Sequence, residues 1–476
     1  MHISIAANPK LASGKKLLRF LGLAAGFSLA AWLFALFGVK PALAGLAFLL
    51  LLTLGFLDYP KFLFLAVVLR SALDAFTNIG LPFGPLNLNP AGLLGLLLVF
   101  FTAVHCFSKK EASQFPVTKG FLVFLLLSIP AVLAAFWHFG VEGAVAVKEF
   151  IRLASLFCLL ISLLVFFKTQ EETKKLFYAA LASLAVPLGV GFYQAVTGTG
   201  DAVSTAGQNR IFGTLFHPNT FALYLSVFIA ATLLWHRHAP SASKKLLLAL
   251  LLSAQFLTFS LSGLVATAVV FGLLFWKKRN VKLLLLGAAL FAIPLVVSAN
   301  WKTRFEQITQ MKLTEEIQTG EISNSFSWRV LHWYVLFQYA REHPVFGWGL
   351  LTTEKITPWK TAAGQGYAAH NDMVRLFLES GLVGLSGYFL FLFCTGRWIF
   401  RKNKATASDA DDGVAPALKA IFVVFVLLSA GAAEPLVHTA FIYYFLTFIV
   451  LEKNGFAFRS LKPEAKTSGA TDGGMR

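Results

Sequence analysis

Apolar runs of membrane-crossing length recur along the chain, joined by short polar connections, and one long polar interruption breaks the series. The runs read as 20–37, 41–57, 62–78, 89–107, 119–137, 144–167, 176–195, 218–236, 245–259, 263–277, 281–299, 373–398, 416–437 and 439–452. A helix needs about 20 apolar residues to cross the hydrocarbon core. In lipid the backbone must satisfy its own polar groups, which favours helices. The pattern predicts an all-α polytopic membrane protein with about 12–14 transmembrane helices. Closely spaced runs within 20–57, 245–277 and 416–452 leave the count open between those limits.

The interruption spans 300–372 and predicts a large, partly helical loop. Within it, Phe326–Glu342 reads as a helix, with Arg329 and Trp333 one turn apart on one face. Pro344 stops that helix, and Gly347 and Gly349 permit a turn. The Gly/Ala-rich stretch 359–367 reads as mobile. Four regions follow: a bundle over 1–299 carrying a loop at 196–217, the loop 300–372, helices over 373–452, and a tail at 453–476. The tail and the 403–414 linker read as disordered.

Of 476 residues, 57% are hydrophobic and 13% charged, against about 25% charged in soluble domains. The net charge of +18 would suit a nucleic-acid partner, but its placement points instead to a lipid bilayer. Lys15, Lys16 and Arg19 begin a series that continues in every second connection, through Lys109 and Lys110, Lys174 and Lys175, Lys277 and Arg279, and Arg401 and Lys402. The intervening connections are nearly free of Lys and Arg. By the positive-inside rule both termini are cytoplasmic, and the loops 196–217 and 300–370 lie outside. The run 20–37 lacks a convincing cleavage site and reads as a retained span. Cys106, Cys158 and Cys394 show no paired spacing, so neither a disulfide framework nor a metal site is indicated. No internal repeat is visible, which disfavours inverted-repeat transporters.

Three constellations lie on the outer side. The first is Ala369-His370-Asn371-Asp372 ahead of an apolar helix. Asn371 suits an N-cap and Asp372 a first turn. A histidine just before a helix N-terminus is biased toward neutral imidazole, which can take a proton from a hydroxyl. The blander role is a cap at the membrane surface. Glu379, nine residues on, falls near the opposite helical face from His370, so direct pairing is not expected. The second constellation runs from Gln208 through Arg210 and Gly213 to His217-Pro218-Asn219. Pro218 suits a first helical position, and an arginine beside a helix N-terminus suits either a diphosphate or lipid headgroups. The third runs from Trp328-Arg329 to His343-Pro344-Val345-Phe346-Gly347-Trp348-Gly349. It offers a guanidinium and aromatic faces that suit sugar rings or the membrane interface.

Charges within spans are costly and call for partners. Arg70 and Asp74, four apart, read as an ion pair. Lys148, Glu149 and Arg152, and also Glu434 and His438, lie near outer span ends and suit the cavity of His370. Asp409-Ala410-Asp411 has metal-binding spacing but sits in an inner linker and reads as a decoy. No outward carboxylate cluster has metal-ligand spacing, so no metal and no cofactor are expected.

At these residues the chain resembles the O-antigen ligase and O-antigen polymerase superfamily of bacterial envelope glycosyltransferases. The resemblance is carried by WRVLHWYVLFQYAREHPVFGWG from Trp328, by AHNDMVRLFLESGLVG from Ala369, and by RIFGTLFHPN from Arg210. It implies a helical membrane glycosyltransferase fold of the GT-C type in the bacterial inner membrane, with its site facing the periplasm. The implied donor is an undecaprenyl-diphosphate-linked glycan. The implied acceptor is a lipid A–core sugar for a ligase or a lipid-linked repeat for a polymerase, by metal-independent, inverting transfer. His370 matches the family's loop histidine, and Arg210 its arginine before a span. One departure stands out. Relatives carry an arginine in a T-x-S-R-x-G stretch, and here Leu261 occupies that place in Thr258-Phe259-Ser260-Leu261-Ser262-Gly263.

The combined expectation is an O-antigen ligase-like glycosyltransferase. His370 is the catalytic residue, and Arg210, Arg152 and Arg329 contact the donor diphosphate. Asn371, Trp333, Asn219, Glu379 and Glu434 support or position the substrates. A polymerase is the enzymatic alternative, and a lipid-linked sugar transporter the non-enzymatic one.

Overall fold

The computed structural model describes residues 39–77, 81–83, 86–106, 114–201, 209–275, 325–360, 366–401, 413–431 and 434–461, with a few isolated positions between them. The predicted span 20–37, almost all of 281–299, the Asp409–Asp411 decoy and most of the tail lie outside these residues.

The described helices are α1 (Val39–Leu57), α2 (Tyr59–Leu73), α3 (Pro90–Cys106), α4 (Pro116–Phe139), α5 (Val145–Phe166), α6 (Gln170–Ala182), α7 (Ala185–Thr197), α8 (Pro218–His238), α9 (Ala242–Leu257) and α10 (Leu261–Phe275). They continue as α11 (Ser325–Ala340), the one-turn α12 (Thr353–Ile356), α13 (Asp372–Arg401), α14 (Ala415–Ala430) and α15 (Thr439–Lys453). The chain is an all-α polytopic membrane protein. By length and composition, four apolar helical stretches among the described residues can cross a bilayer: Pro116–Phe166, Gln170–Thr197, Pro218–His238 and Asp372–Arg401. A small exception to the helical plan is an antiparallel pair, β1 (Leu81–Phe83) and β2 (Leu86–Leu88), with Leu81 opposite Leu88. Residues 1–62 and 63–476 form two compact units. The site lies wholly in the second.

Helix ends follow local chemistry. Thr169 and Glu172 form a reciprocal capping box at the start of α6. The Asn89 carboxamide accepts from the Gly92 amide ahead of α3, and Pro116 and Pro218 occupy first-turn positions. The predicted span 176–195 is not one helix but two, parted at Ser183 and Leu184. Pro187 cannot donate to the Ser183 carbonyl four residues back. The Ser71 hydroxyl donates to that carbonyl instead, at 2.8 Å. The predicted span 416–437 stops at Ala430, leaving Glu434 and His438 in the connection to α15. The loop helix expected over 326–342 is α11.

The centre of the second unit is α8 packed with α9, α10, α14 and α15. Every residue of α8 from Pro218 to Leu234 is buried. A helix apolar on all sides needs such a place inside a bundle. α13 lies along α4 and breaks at Gly381, where the backbone turns left-handed (φ 59°, ψ −163°). The break frees backbone groups that 344–349 takes up. Leu382 and Val383 donate to the carbonyls of Pro344 and Val345. Trp348 and Gly349 donate back to those of Leu378 and Glu379. A Cβ on Gly381 would collide with the Val345 backbone, and one on Gly347 with the backbone of Glu379 and Ser380. The HPVFGWG and ESGLVG motifs are therefore two halves of one interlock. It fixes the large loop to the start of α13.

Candidate functional site

Three connections meet at one end of the second unit: the segment before α8, the loop up to α13, and the link between α14 and α15. His370 sits on the loop with a left-handed backbone (φ 54°). Two neighbours hold it there. The carbonyl of Ala369 accepts from the Trp333 indole at 2.6 Å. Asn371 caps α13, accepting from the amides of Met373 (2.9 Å) and Val374 (3.2 Å) while donating to the Ala430 carbonyl. The N-cap role is the one the sequence suggests for Asn371.

The His370 ring stands 6.4 Å from the His217 ring and 6.0 Å, edge to face, from Trp328. Trp328 in turn packs against His332, Trp359 and Tyr367, so one side of His370 is an aromatic wall. Burial holds the His370 imidazole well below the usual histidine range, helped by the Arg329 charge and then by His217, His438 and His332. His217 is brought down to about 4 by burial and then by the charges of Arg210 and Arg329. His438 falls to about 3, mainly by burial. The site thus presents neutral imidazoles at neutral pH. The His217 Nδ1 accepts from the Asn219 amide at 3.1 Å, which puts the ring proton on Nε2.

Arg210 is buried behind His217. Its Nε donates to the Thr258 carbonyl at 2.9 Å and its Nη2 to the Asn219 side chain at 3.1 Å. Ser260 donates to the same Asn219 oxygen at 2.7 Å. The segment carrying Leu261 therefore packs directly against Arg210, through Thr258 and Ser260 rather than through a second guanidinium. The charges of Arg210 and Arg329 both reach His217.

Arg152, Glu379 and Glu434 belong to a charged group around Glu149 and Arg375. Arg152 grips Glu149, one turn earlier, through two bonds of 2.7 and 2.6 Å, and donates to the Leu436 carbonyl. Its charge is thus matched within its own helix. Glu379 accepts from the Thr353 hydroxyl at 2.7 Å and pairs with Arg375 at 3.1 Å. Glu434 lies 3.8 Å from Arg375, and its carboxylate receives the His370 backbone amide.

Arg375 itself is absent from the sequence-derived set. It is buried among Glu149, Asp372, Glu379 and Glu434. A signal was present: Asp372, Arg375 and Glu379 are spaced three and four apart, on one face of a helix. The Arg70–Asp74 pair forms as expected, at 2.6 Å, and lines a cavity shared with His217 and His438.

Among curated proteins, none matches the chain. Residues 246–389 match the family described as O-antigen ligase. The matched stretch runs from α9 to the middle of α13 and contains Arg329, Trp333, His370, Asn371 and Glu379. Over this stretch the chain is similar to a family of glycosyltransferase-like ligases.

Proposed function

We propose that the protein is an outer-face glycosyltransferase of the bacterial inner membrane with a GT-C-type fold. It moves a glycan from undecaprenyl diphosphate to a sugar of lipid A–core. The observation that carries this reading is a neutral, partly buried His370 beside the Arg329 charge, with Arg210 acting on the neighbouring His217. The family match over 246–389 supports a lipid-linked glycan as donor. The alternation of basic connections, which the positive-inside rule assigns to the cytoplasmic side, supports a periplasmic His370. Nucleotide sugars are absent there, so a lipid-borne donor fits.

In this mechanism His370 takes the proton of the acceptor hydroxyl as its oxygen attacks the anomeric carbon. The bond from that carbon to the diphosphate oxygen breaks, the configuration inverts, and undecaprenyl diphosphate leaves with the electron pair. Arg210 and Arg329 stabilise the charge developing on the diphosphate. Arg152 acts one step back, holding Glu149 and, through Leu436, the connection that carries His438. Asn371 and Trp333 position the His370 backbone, Asn219 orients Arg210, and Glu379 and Glu434 hold the loop through Arg375 and the His370 amide.

Purified protein in nanodiscs, given lipid-linked glycan and lipid A–core, is expected to form the joined product. His370→Ala should lower the rate by roughly 10²–10⁴-fold, the usual worth of a general base. Undiminished transfer by that variant would remove His370 from the chemistry. Arg210→Ala should raise the KM for donor more than for acceptor, and equal effects would contradict its diphosphate role. Elongation of the glycan with no lipid A–core product would make the protein a polymerase instead.

A further inference from the structure

Beside the imidazoles of His217 and His438 lies an open cavity of about 340 Å³. It is lined by the Arg70–Asp74 pair and by Thr77, Thr220 and Thr439. The mouth is bordered by Phe216, 53% exposed on a left-handed backbone (φ 66°) that turns it out of the apolar interior. Nothing in the transfer chemistry described above uses Arg70, Asp74, Thr77 or Phe216.

The lining mixes polar and apolar groups and carries no net charge. Arg70 and Asp74 cancel, and both imidazoles are neutral at pH 7. An anion here would have to lie against the Asp74 carboxylate. A neutral polyol would not, and it would find acceptors on Asp74 and on the Thr77 and Thr439 hydroxyls, and donors on Arg70 and the His217 Nε2. Hydrogen bonds to charged partners are the stronger kind. A fixed ion pair therefore grips hydroxyls well without attracting phosphate. Phe216 adds a flat apolar face, which suits the C–H face of a sugar ring. The volume sits at the low end of small-molecule pockets, roughly 300–1,000 Å³, and suits a single sugar unit. The cavity also adjoins the reacting centre, because the His217 ring on its wall is the one 6.4 Å from His370.

We propose that this cavity is a subsite for one uncharged pyranose of the glycan substrates, held on the Arg70–Asp74 pair with its apolar face under Phe216. It rests on the transferase reading. The sugar belongs either to the donor glycan or to the acceptor, which share this chemistry.

The test uses the full chain in nanodiscs with lipid-linked glycan and lipid A–core, and three variants. Phe216→Ala removes an exposed ring and leaves the fold in place. Thr77→Leu fills the cavity. Asp74→Asn leaves the Arg70 charge uncancelled. Phe216→Ala and Thr77→Leu should each raise one KM about tenfold, a loss of roughly 1.4 kcal/mol of binding, with a smaller change in kcat. A rise in the donor KM assigns the sugar to the donor, and a rise in the acceptor KM assigns it to the acceptor. Asp74→Asn should weaken binding of the same substrate. If it tightens binding, the ligand is an anion and the proposal falls. Wild-type transfer with unchanged KM values in Phe216→Ala and Thr77→Leu also overturns it. Absence of transfer by the wild type overturns the transferase reading, and the subsite with it.

Discussion

A left-handed backbone at His370 costs about 1–2 kcal/mol for a residue with a Cβ, and four contacts around it offset that cost. Trp333 holds the carbonyl before it, Asn371 caps the helix after it, the Glu434 carboxylate faces its amide, and Trp328 flanks its ring. The result is an imidazole kept neutral by burial first and by Arg329 second. The consequence for pH is direct. A base with a lowered pKa stays unprotonated until the pH falls below that lowered value. The profile of kcat/KM should therefore lack the acid inflection near 6.5 that an ordinary histidine imposes, and stay level from pH 8 to below 6. Arg329→Gln removes the largest charge acting on the ring, so its acid limb should move to higher pH, only in part because burial remains. A wild-type limb centred near 6.5 would mean that His370 is solvated in the working enzyme. An unmoved limb in Arg329→Gln would separate that arginine from the site.

The interlock of 344–349 with the break in α13 makes a prediction at the scale of the element. Gly381→Ala adds left-handed strain, about 1–3 kcal/mol, to a collision with the Val345 backbone. Gly140 offers the comparison. It too is left-handed, at φ 57°, but no atom lies within 4 Å of the site a Cβ would take. Gly140→Ala should cost only the strain, whereas Gly381→Ala should cost several times more and also reduce transfer, because the His370 loop is anchored there. Thermal unfolding in detergent measures the first effect and the nanodisc assay the second. Equal destabilisation by the two variants would show that the collision is relieved by a small shift. The break itself was not legible in the sequence. The run 373–398 reads as one span, and Gly381 looks like a small residue in an apolar helix. Only the partner segment, remote by more than thirty residues, reveals why glycine is needed. The start of α8 and the end of α11 were legible, because Pro218 and Pro344 act on near neighbours. The split at Ser183 was legible in principle through Pro187, yet the apolar run around it conceals the break.

The same division holds for the whole molecule. Periodic apolar runs specify helices, and alternating basic connections specify a sidedness, so the all-α membrane plan is readable residue by residue. The ion pairs that join distant elements are not. Arg70 and Asp74 are four apart and legible as a pair; that Glu149 faces both Arg152 and the distant Arg375 is visible only in the folded chain. Arg375 draws together α5, α13 and the α14–α15 connection, through Glu149 at 3.4 Å, Glu379 at 3.1 Å, Asp372 at 3.6 Å and Glu434 at 3.8 Å. The last two separations suit charge attraction but are too long for hydrogen bonds. Removing a single buried partner strands the charges it neutralised, at about 3–5 kcal/mol. Arg375→Met keeps the bulk and loses the charge, so it should unfold at markedly lower temperature than the wild type. Arg375→Lys, with its single ammonium group, can satisfy fewer of these carboxylates and should fall between. Adding Glu379→Gln to Arg375→Met should restore part of the loss, because one stranded carboxylate disappears and directly coupled sites are not additive. A double variant no more stable than Arg375→Met would mean that Glu379 draws its support from Thr353 rather than from the arginine. An unshifted melting temperature in Arg375→Met alone would remove the network from the forces that hold His370 beside Arg210.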